Sequence, residues 1–270
     1  TATIHVLWNC LGSTVARFSL GIAAAALVLV APAHATWTVT TSDTQRSAAA
    51  SVEHWRIGLA ENSTGTEATL ELAVFSSKTA TLRVLDDADG SGTLAGAMQR
   101  EQGIAGVNGG YFDPQNDPVG LLISDGRLIA PLRKARLLSG VVSVAGGRVQ
   151  IQRSAEYSAK MKPTAARQCG PFLVERGQPI AGLNATRSAR RTFVATMGGE
   201  RGALGYCSHV TLAQLAALLA TPGLAPELKV QRALNLDGGS SSAFWFAGQN
   251  GVISIREQKS VRDYLGLVPK

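Results

Sequence analysis

The sequence predicts an α+β fold: a strand-rich single domain with a mixed or antiparallel sheet and a few helices. Three observations support this class. Apolar runs of strand length recur between turn signals, two Gly-containing dipeptides have the composition of hairpin loops, and one segment carries complete helix signals. No internal repeat or low-complexity linker divides residues 52–270, so we assign them to one domain.

The first 35 residues have the features of a secretory signal peptide. Arg17 precedes an apolar run over residues 18–30, and an Ala-His-Ala cleavage site follows at 33–35. The run is too short to span a bilayer comfortably. We therefore expect an upstream extension over residues 1–16, cleavage after Ala35, and a periplasmic or secreted protein without a stable membrane anchor. A retained anchor is the alternative.

The residues that follow are predicted to be mainly strands. Residues 36–51 are rich in Thr, Ser and Ala with little periodicity, which predicts a poorly ordered leader or an edge strand. Apolar runs at 52–59, 68–75 and 80–85 predict three strands. The acidic segment 86–90 resembles a calcium loop but lacks the downstream Glu ligand, so we interpret it as a solvated turn.

Two hairpins are predicted from dipeptides that favour positive φ at both loop positions. Asp125-Gly126 joins residues 120–124 to 127–131, and Gly146-Gly147 joins residues 141–145 to 148–152. Such meanders build antiparallel sheet.

Two helices are predicted. A short one over residues 93–102 leads into the first glycine-rich segment. The other begins after Thr211, which forms a capping box with Gln214, and covers residues 212–220 before Pro-Gly ends it. We expect its Leu and Ala face to lie in the core.

Two glycine-rich segments, residues 107–114 and 234–242, share one pattern: an apolar strand, then Asn or Asp, then Gly-Gly. Each pattern places polar side chains at a strand end, and residues without a Cβ allow sharp turns and close approach of a ligand. Amides exposed in such a turn bind anions. The two segments together predict a polar ligand site. Tight turns without a ligand are the alternative.

Five motifs in a fixed order resemble the phosphodiester glycosidase family, relatives of the lysosomal enzyme that uncovers mannose 6-phosphate. The resemblance covers about residues 55–270, so residues 52–270 are expected to form a phosphodiester glycosidase-like domain. Ser240 stands where many members carry a third Gly, and Arg190 stands where a Pro often precedes the Arg. The motifs lie at residues 108–112, 118–121, 170–173, 191–192 and 236–241.

The resemblance implies hydrolysis of a sugar-1-phosphodiester, in a phosphosugar or an envelope glycopolymer, to a sugar and a phosphate monoester. The leaving monoester needs little protonation because its second pKa is near 6. One carboxylate and a phosphate clamp can therefore replace the two carboxylic acids of ordinary glycosidases. Only Asp113 and Asp237 lie inside the glycine-rich segments and are the catalytic candidates.

Asp237 is the first candidate to activate water or stabilise oxocarbenium character, with a hydrogen bond to its own turn as the alternative role. Asp113 precedes Pro114, which also suits a turn-shaping role. Arg191 offers a planar fork for phosphate, shared with Arg187 or Arg190, or else a surface salt bridge. The predicted substrate-binding set is Asn108, Gly109, Gly110, Tyr111, Arg191, Thr192, Asn235, Gly238, Gly239, Ser240 and Ser241.

The asparagines Asn108 and Asn235 are expected to bind sugar hydroxyls, or else to form Asx turns. The serines are poor nucleophile candidates because no GxSxG elbow is present. We predict a disulfide between Cys169 and Cys207, the two cysteines that remain in an exported chain after residues 1–35 are removed. No cofactor or metal site is expected, because no His and Cys cluster has ligand spacing.

The net charge is +7, which suits an anionic substrate such as a phosphorylated sugar or glycan. Solubility is the alternative explanation for most of these charges. The basic residues are scattered, and no basic arm with interleaved aromatics suggests nucleic acid. Two other functions remain open. One is a non-catalytic envelope or glycan-binding module on the same fold, motivated by Ser240. The other is a metal-dependent phosphodiesterase, which the missing ligand cluster disfavours.

Overall fold

The computed structural model describes residues 37–49, 51–223 and 228–270. The predicted signal peptide and the cleavage position after Ala35 lie outside these residues. The first nine strands are β1 (Trp37–Arg46), β2 (Glu53–Glu61), β3 (Glu67–Ser76), β4 (Ala80–Asp86), β5 (Ala105–Asn108), β6 (Leu122–Ser124), β7 (Arg127–Ala130), β8 (Gly140–Ala145) and β9 (Arg148–Arg153). The others are β10 (Ala165–Cys169), β11 (Phe172–Glu175), β12 (Gln178–Pro179), β13 (Ala189–Thr196), β14 (Arg201–Val210), β15 (Arg232–Asn235), β16 (Phe244–Gly248), β17 (Gly251–Ile255) and β18 (Asp263–Pro269).

The strands form three sheets. The large sheet has the order β1-β2-β3-β14-β13-β15-β11-β12, and the two five-stranded sheets have the orders β7-β6-β10-β8-β9 and β17-β16-β5-β18-β4. Every pairing between the described strands is antiparallel. The expected strand-rich single domain with few helices is therefore present, with antiparallel rather than mixed sheets. Because it is mostly β, the α+β class describes it only loosely.

The two predicted hairpins are confirmed. Asp125 and Gly126 have φ of 48° and 74°, and Gly146 and Gly147 have φ of 56° and 73°. Positive φ at both loop positions matches the right-handed twist of the paired strands. The strands predicted at 52–59, 68–75 and 80–85 are β2, β3 and β4, each shifted by two residues or fewer.

Both predicted helices are present as α1 (Leu94–Arg100) and α2 (Leu212–Ala220). The hydroxyl of Thr211 accepts the Gln214 amide at 3.1 Å and the Gln214 side chain accepts the Thr211 amide at 2.9 Å, which confirms the capping box. The leucines and alanines of α2 pack in a core, as expected. Neither helix combines the length and hydrophobicity that crossing a bilayer requires, and this holds for the described residues alone.

Residues 37–46 form an edge strand, not a poorly ordered leader. Strand β1 pairs with β2 from Trp37 opposite Glu61 to Arg46 opposite Glu53, with one bulge after Val39. The edge-strand alternative therefore describes this part of the segment 36–51. Most of its side chains are exposed, which explains why the sequence shows little hydrophobic periodicity there.

The large sheet separates two hydrophobic cores. Residues from all three sheets form the central core, whereas α2 packs on the opposite face of the large sheet. Strand β14 shows the alternation: Leu204 and Tyr206 face the central core, and Ala203 and Cys207 face the α2 core. The large sheet is thus covered on both faces.

The predicted disulfide between Cys169 and Cys207 is absent, and both are buried free thiols. Cys169 lies in the central core, whereas Cys207 lies in the α2 core on the other face of the large sheet. The sheet therefore stands between the two sulfur atoms. Burial raises the pKa of both thiols to about 12, so neither has the thiolate character of a reactive cysteine.

A buried ion pair joins two of the sheets. Arg167 on β10 donates from Nε to both carboxylate oxygens of Asp263 on β18, at 3.1 and 3.0 Å, and both side chains are fully buried. The remaining guanidinium nitrogens donate to the carbonyl groups of Tyr111, Val119, Leu121 and Gln168. This complete hydrogen bonding is what makes a buried charge tolerable.

We predict that Asp263→Asn lowers the free energy of unfolding by about 3–5 kcal/mol, because Arg167 keeps a buried charge without its partner. Denaturant unfolding measures this difference. Glu156→Gln is the control: it removes a carboxylate from the exposed pair with Arg232 and should cost less than about 1 kcal/mol. Similar losses in the two variants would contradict the structural importance of the buried pair.

Candidate active site

The two glycine-rich segments meet in the folded chain. The first follows β5, the second follows β15, and the amide of Asp237 donates to the carbonyl of Gly109 at 3.1 Å. This contact joins segments that follow strands of different sheets, which is consistent with the expectation that the two segments form one site.

Asn108 fastens the two segments together. Its Nδ2 donates to the carbonyl of Asp237 at 2.7 Å, and its Oδ1 accepts the amide of Ala243 at 3.1 Å. The side chain is fully buried. The sequence led us to expect that Asn108 binds a sugar hydroxyl. In the structure both ends of its amide bind backbone groups, so the side chain holds the two segments together.

Positions 109 and 110 have no room for a side chain, because the buried ion pair lies against Gly109 and Gly110. A Cβ on Gly109 would stand 1.7 Å from Asp263 Oδ1, and one on Gly110 would stand 2.5 Å from Arg167 Cζ. Both glycines are buried. The close approach that the sequence assigned to a ligand is here the approach of the protein's own side chains.

Tyr111 and Asn235 form a second link across the site. The Tyr111 hydroxyl donates to the carbonyl of Gly170, and Asn235 Nδ2 donates to the same carbonyl at 3.0 Å. Burial, followed by the nearby Cys169 and Asp237, raises the pKa of Tyr111 above its usual range. Tyr111 is therefore a neutral hydroxyl. The Nδ2 of Asn235 is occupied by backbone carbonyls, whereas its Oδ1 is buried and has no hydrogen-bond partner among the described residues.

Asp237 lies at the centre of the site and is half-buried. Its Oδ1 accepts the amide of Gly238 at 2.9 Å. Burial raises the pKa of the carboxyl, while Ser241, Lys259 and the Gly238 amide act in the opposite direction. The Ser241 hydroxyl makes no hydrogen bond of normal geometry within the described part of the chain. It therefore lowers the pKa of Asp237 as a nearby polar group and not through a formed hydrogen bond.

The turn after Asp237 offers free backbone donors. Residues Gly239–Ser241 form a single 3₁₀ turn in which Gly239 has φ of 67°. Apart from its neighbours in the chain, no atom of the described residues lies within 4 Å of a Cβ built on Gly239. Among the residues that the structure describes, the amides of Gly239 and Ser240 have no hydrogen-bond partner. Free amides in open space are suited to an anion.

Arg191 lies beside this turn, but two of its three guanidinium nitrogens already donate to backbone carbonyls. Nε donates to the carbonyl of Val210 at 3.1 Å and Nη2 to that of Arg187 at 2.6 Å. Nη1 lies 3.6 Å from the position of a Cβ on Gly238. The expected two-pronged phosphate grip therefore reduces to one free nitrogen. Burial lowers the pKa of Arg191, so a nearby anion would stabilise its charge.

The neighbours of Arg191 have other tasks. Arg190 donates from Nη2 to the carbonyls of Ser242 and Arg256, which fastens the turn to the loop after β17. Thr192 is fully buried, and its hydroxyl has no partner among the residues described. Its carbonyl accepts the amide of Leu236 at 2.8 Å. These contacts hold the second segment in place.

Lys259 is a site residue that the sequence reasoning missed. It is exposed in the loop between β17 and β18, lies 5.0 Å from the centroid of the Phe112 ring, and lowers the pKa of Asp237. The amide of Gln258 donates to the carbonyl of Ser240 at 2.7 Å, which brings this loop to the turn. No motif in the sequence marks the loop, so no sequence signal identified the lysine.

Asp113, the other catalytic candidate, shapes a turn. Its Oδ1 accepts the amides of Gln115 at 3.0 Å and Asp117 at 2.9 Å. This is the turn-shaping alternative that the following Pro114 suggested. Among the described residues, no three His, Cys, Asp or Glu side chains are grouped so that they could hold a metal ion.

Fold and site together define a strand-rich domain that presents one carboxyl, free amides and a cation where two strands end. The NAGPA family model, described as phosphodiester glycosidase, matches residues 101–268. The match spans more than half of the 270 residues, so the chain belongs to the phosphodiester glycosidase family. The family resemblance of the five motifs is confirmed. A search of curated protein sequences gives no significant match.

Solved structures share the fold. The zebrafish N-acetylglucosamine-1-phosphodiester alpha-N-acetylglucosaminidase catalytic domain, auto-inhibited by its pro-peptide, has a TM-score of 0.62 at 15% identity and covers 85% of this chain and 89% of its own. A presumed exported protein from Burkholderia pseudomallei has a TM-score of 0.55 at 15% identity, covering 76% and 75%. A hypothetical protein from Synechocystis has 0.54 at 14%, covering 81% and 62%. At these identities the likeness shows a common fold.

The raised pKa of Asp237 predicts how a substitution there affects stability. A carboxyl whose pKa is raised by folding contributes stability below its unfolded pKa, near 3.9, and loses it as pH rises through the folded value. The neutral Asp237→Asn should therefore have a higher Tm than wild type at pH 7, and the gap should close near pH 3. Thermal unfolding at both pH values measures this.

The control is Asp113→Asn, which removes the same charge and keeps an acceptor oxygen for its turn. A lower Tm for Asp237→Asn than for wild type at pH 7 would show that the Asp237 carboxylate stabilises the fold.

Proposed function

We propose that this chain is an exported hydrolase that cleaves the glycosidic bond of a sugar-1-phosphodiester. The products are a free sugar and a phosphate monoester, and the substrate is a phosphosugar or an envelope glycopolymer. The observation that carries the proposal is Asp237: a half-buried carboxyl, with its pKa raised by burial, beside two amides that have no hydrogen-bond partner in the described part of the chain. Membership of the phosphodiester glycosidase family supports the reaction class.

Hydrolysis needs a base for the attacking water and a leaving group that can carry negative charge. The bond between the anomeric carbon and the phosphate oxygen breaks, and its electron pair leaves with the phosphate monoester. Asp237 accepts the proton of the attacking water or stabilises the oxocarbenium-like carbon. The leaving group needs no strong acid, because a phosphate monoester ionises with a second pKa near 6. A single carboxylate is therefore sufficient.

The phosphate is assigned to the turn and its cations. The amides of Gly239 and Ser240 would donate to the phosphate oxygens. Nη1 of Arg191 lies on one side of the same turn. Lys259 supplies a second charge from the neighbouring loop. The site thus has one carboxylate for the sugar carbon and a separate group of donors for the phosphate.

Export rests on the sequence. The apolar run over residues 18–30 and the Ala-His-Ala site at 33–35 support a signal peptide with cleavage after Ala35. A sugar phosphate bond in the cell envelope is a substrate that an exported enzyme would meet.

The test of Asp237 is hydrolysis of a panel of sugar-1-phosphodiesters, with free sugar and phosphate monoester followed together. Asp237→Asn should lower kcat by about 100-fold or more, because a positioned acid or base typically contributes that much. Asp113→Asn should stay within about twofold of wild type, since Asn keeps the turn's acceptor oxygen. Equal kcat in wild type and Asp237→Asn would remove Asp237 from the mechanism.

The same panel tests the alternative of a glycan-binding module. Binding of the donors without any release by wild type would support that module, which the sequence motivates through Ser240 in place of a third Gly. Loss of activity after chelation would instead support a metal-dependent phosphodiesterase.

Lys259→Gln tests the phosphate side of the site. We expect KM to rise about tenfold, because one charge-assisted contact to phosphate is lost. The acid limb of the kcat profile should also move to higher pH, since Lys259 lowers the pKa of Asp237. Steady-state kinetics from pH 4 to 9 gives both quantities. An unchanged KM with an unmoved acid limb would exclude Lys259 from the site.

A further inference from the structure

Three large apolar side chains are exposed close together in the sequence, on β7 and the loop that follows it. The exposed fractions are 60% for Leu128, 39% for Leu132 and 52% for Leu137. Elsewhere among the described residues only Val39 and Val252 are large, apolar and exposed. A group of exposed leucines is unusual on a soluble surface and marks an interaction site.

Two of these leucines line a groove, which we call the leucine groove. Its volume is about 540 Å³ and its walls are mostly apolar: Leu121, Ile123, Leu128, Pro131, Leu132, Tyr157 and Pro163 contribute. The floor belongs to a small hydrophobic cluster that includes Leu121 and Ile123, on the face of their sheet that carries Tyr157. The groove can take apolar groups that are larger than a single side chain.

Six exposed cations lie on the segments that contribute to the groove. Arg127, Arg133, Lys134 and Arg136 lie on β7 and its loop, Lys162 lines the groove itself, and Lys160 lies two residues before it. Within the described ranges none of the six makes an ion pair. The nearby carboxylates are already used, since Asp125 pairs with Arg83 and Glu156 pairs with Arg232.

We propose that this face binds the surface of an anionic lipid bilayer. Exposed leucines gain free energy by entering the interface between headgroups and acyl chains, and unpaired cations are attracted to lipid phosphates. A soluble phosphate or glycan would use the cations and leave the leucines in water. A bilayer surface satisfies both sets of side chains, which is why it fits this face better than a small anion.

The loop is held in a fixed position close to the candidate site. The side chain of Gln168 accepts the amide of Arg133 at 3.0 Å and donates to the carbonyl of Arg133 at 2.7 Å. The carbonyl of Leu137 packs against Gly170, where a Cβ would stand 2.2 Å away. The carbonyl of Gly170 in turn accepts the Tyr111 hydroxyl. The loop that would contact the bilayer is therefore held by Gln168 and Gly170, and Gly170 also binds Tyr111 of the candidate site.

The experiment is sedimentation of the processed chain, residues 36–270, with vesicles of phosphatidylglycerol and phosphatidylcholine, compared with pure phosphatidylcholine, at 0.1 and 0.5 M salt. Binding should require phosphatidylglycerol and weaken in high salt. The triple variant Arg133→Gln, Lys134→Gln, Arg136→Gln should bind about 100-fold more weakly, from the usual contribution of each cation at an anionic surface. Leu128→Ser with Leu132→Ser should bind about tenfold more weakly.

Matched controls separate this face from general charge and hydrophobicity. Arg100→Gln, Arg176→Gln, Lys229→Gln removes the same charge from other exposed positions, and Val252→Ser removes an apolar side chain as exposed as Leu128. Both should bind within about threefold of wild type, because the substituted residues lie outside the leucine groove and its loop. Hydrolysis of a soluble sugar-1-phosphodiester is measured in parallel and should not change in the loop variants, so a failure of either proposal is seen separately.

Several outcomes would overturn the proposal. They are no binding of wild type to phosphatidylglycerol at 0.1 M salt, equal binding to both lipid compositions, or equal binding by the loop variants and the controls. A dimer that forms without vesicles and is lost in Leu128→Ser would assign the face to a second copy of the chain instead.

Discussion

The buried pair of Arg167 and Asp263 is the interaction on which the rest of this structure depends. It joins β10 to β18, and the guanidinium binds four backbone carbonyls around the first glycine-rich segment. Asp263 also accepts the amide of Gly110 at 3.2 Å and, through its backbone carbonyl, the amide of Gly109 at 2.7 Å. The segment that supports Asp237 is therefore shaped from beneath by a charge pair that no ligand can reach.

Asp237 depends on this support through two contacts. Gly109 accepts its amide and Asn108 binds its carbonyl, so the carboxyl is held by residues whose own positions follow from the ion pair. Burial raises the pKa of the carboxyl, which costs stability at neutral pH. Such a cost is typical of groups retained for chemistry instead of stability.

Much of the fold could be predicted because local signals agree with tertiary structure. Hairpin loops at Asp125 and Gly146 and the capping box at Thr211 depend on a few neighbouring residues, so the sequence contains all that is needed. Long-range partners carry no such signal. The charge pair, the separation of Cys169 from Cys207 by a sheet, and the approach of Lys259 to Asp237 all depend on packing between distant segments.

The two Gly-Gly pairs have different physical requirements, and this affects how related sequences should be interpreted. Gly109 and Gly110 are required by the scaffold, because any side chain there would collide with Asp263 or Arg167. Gly239 faces open space and has a positive φ, so only the shape of the turn requires it. A member of the family without hydrolytic activity would still need the first pair, whereas the second pair would be free to change. The first pair is a signature of ancestry, and the second is the better marker of retained chemistry.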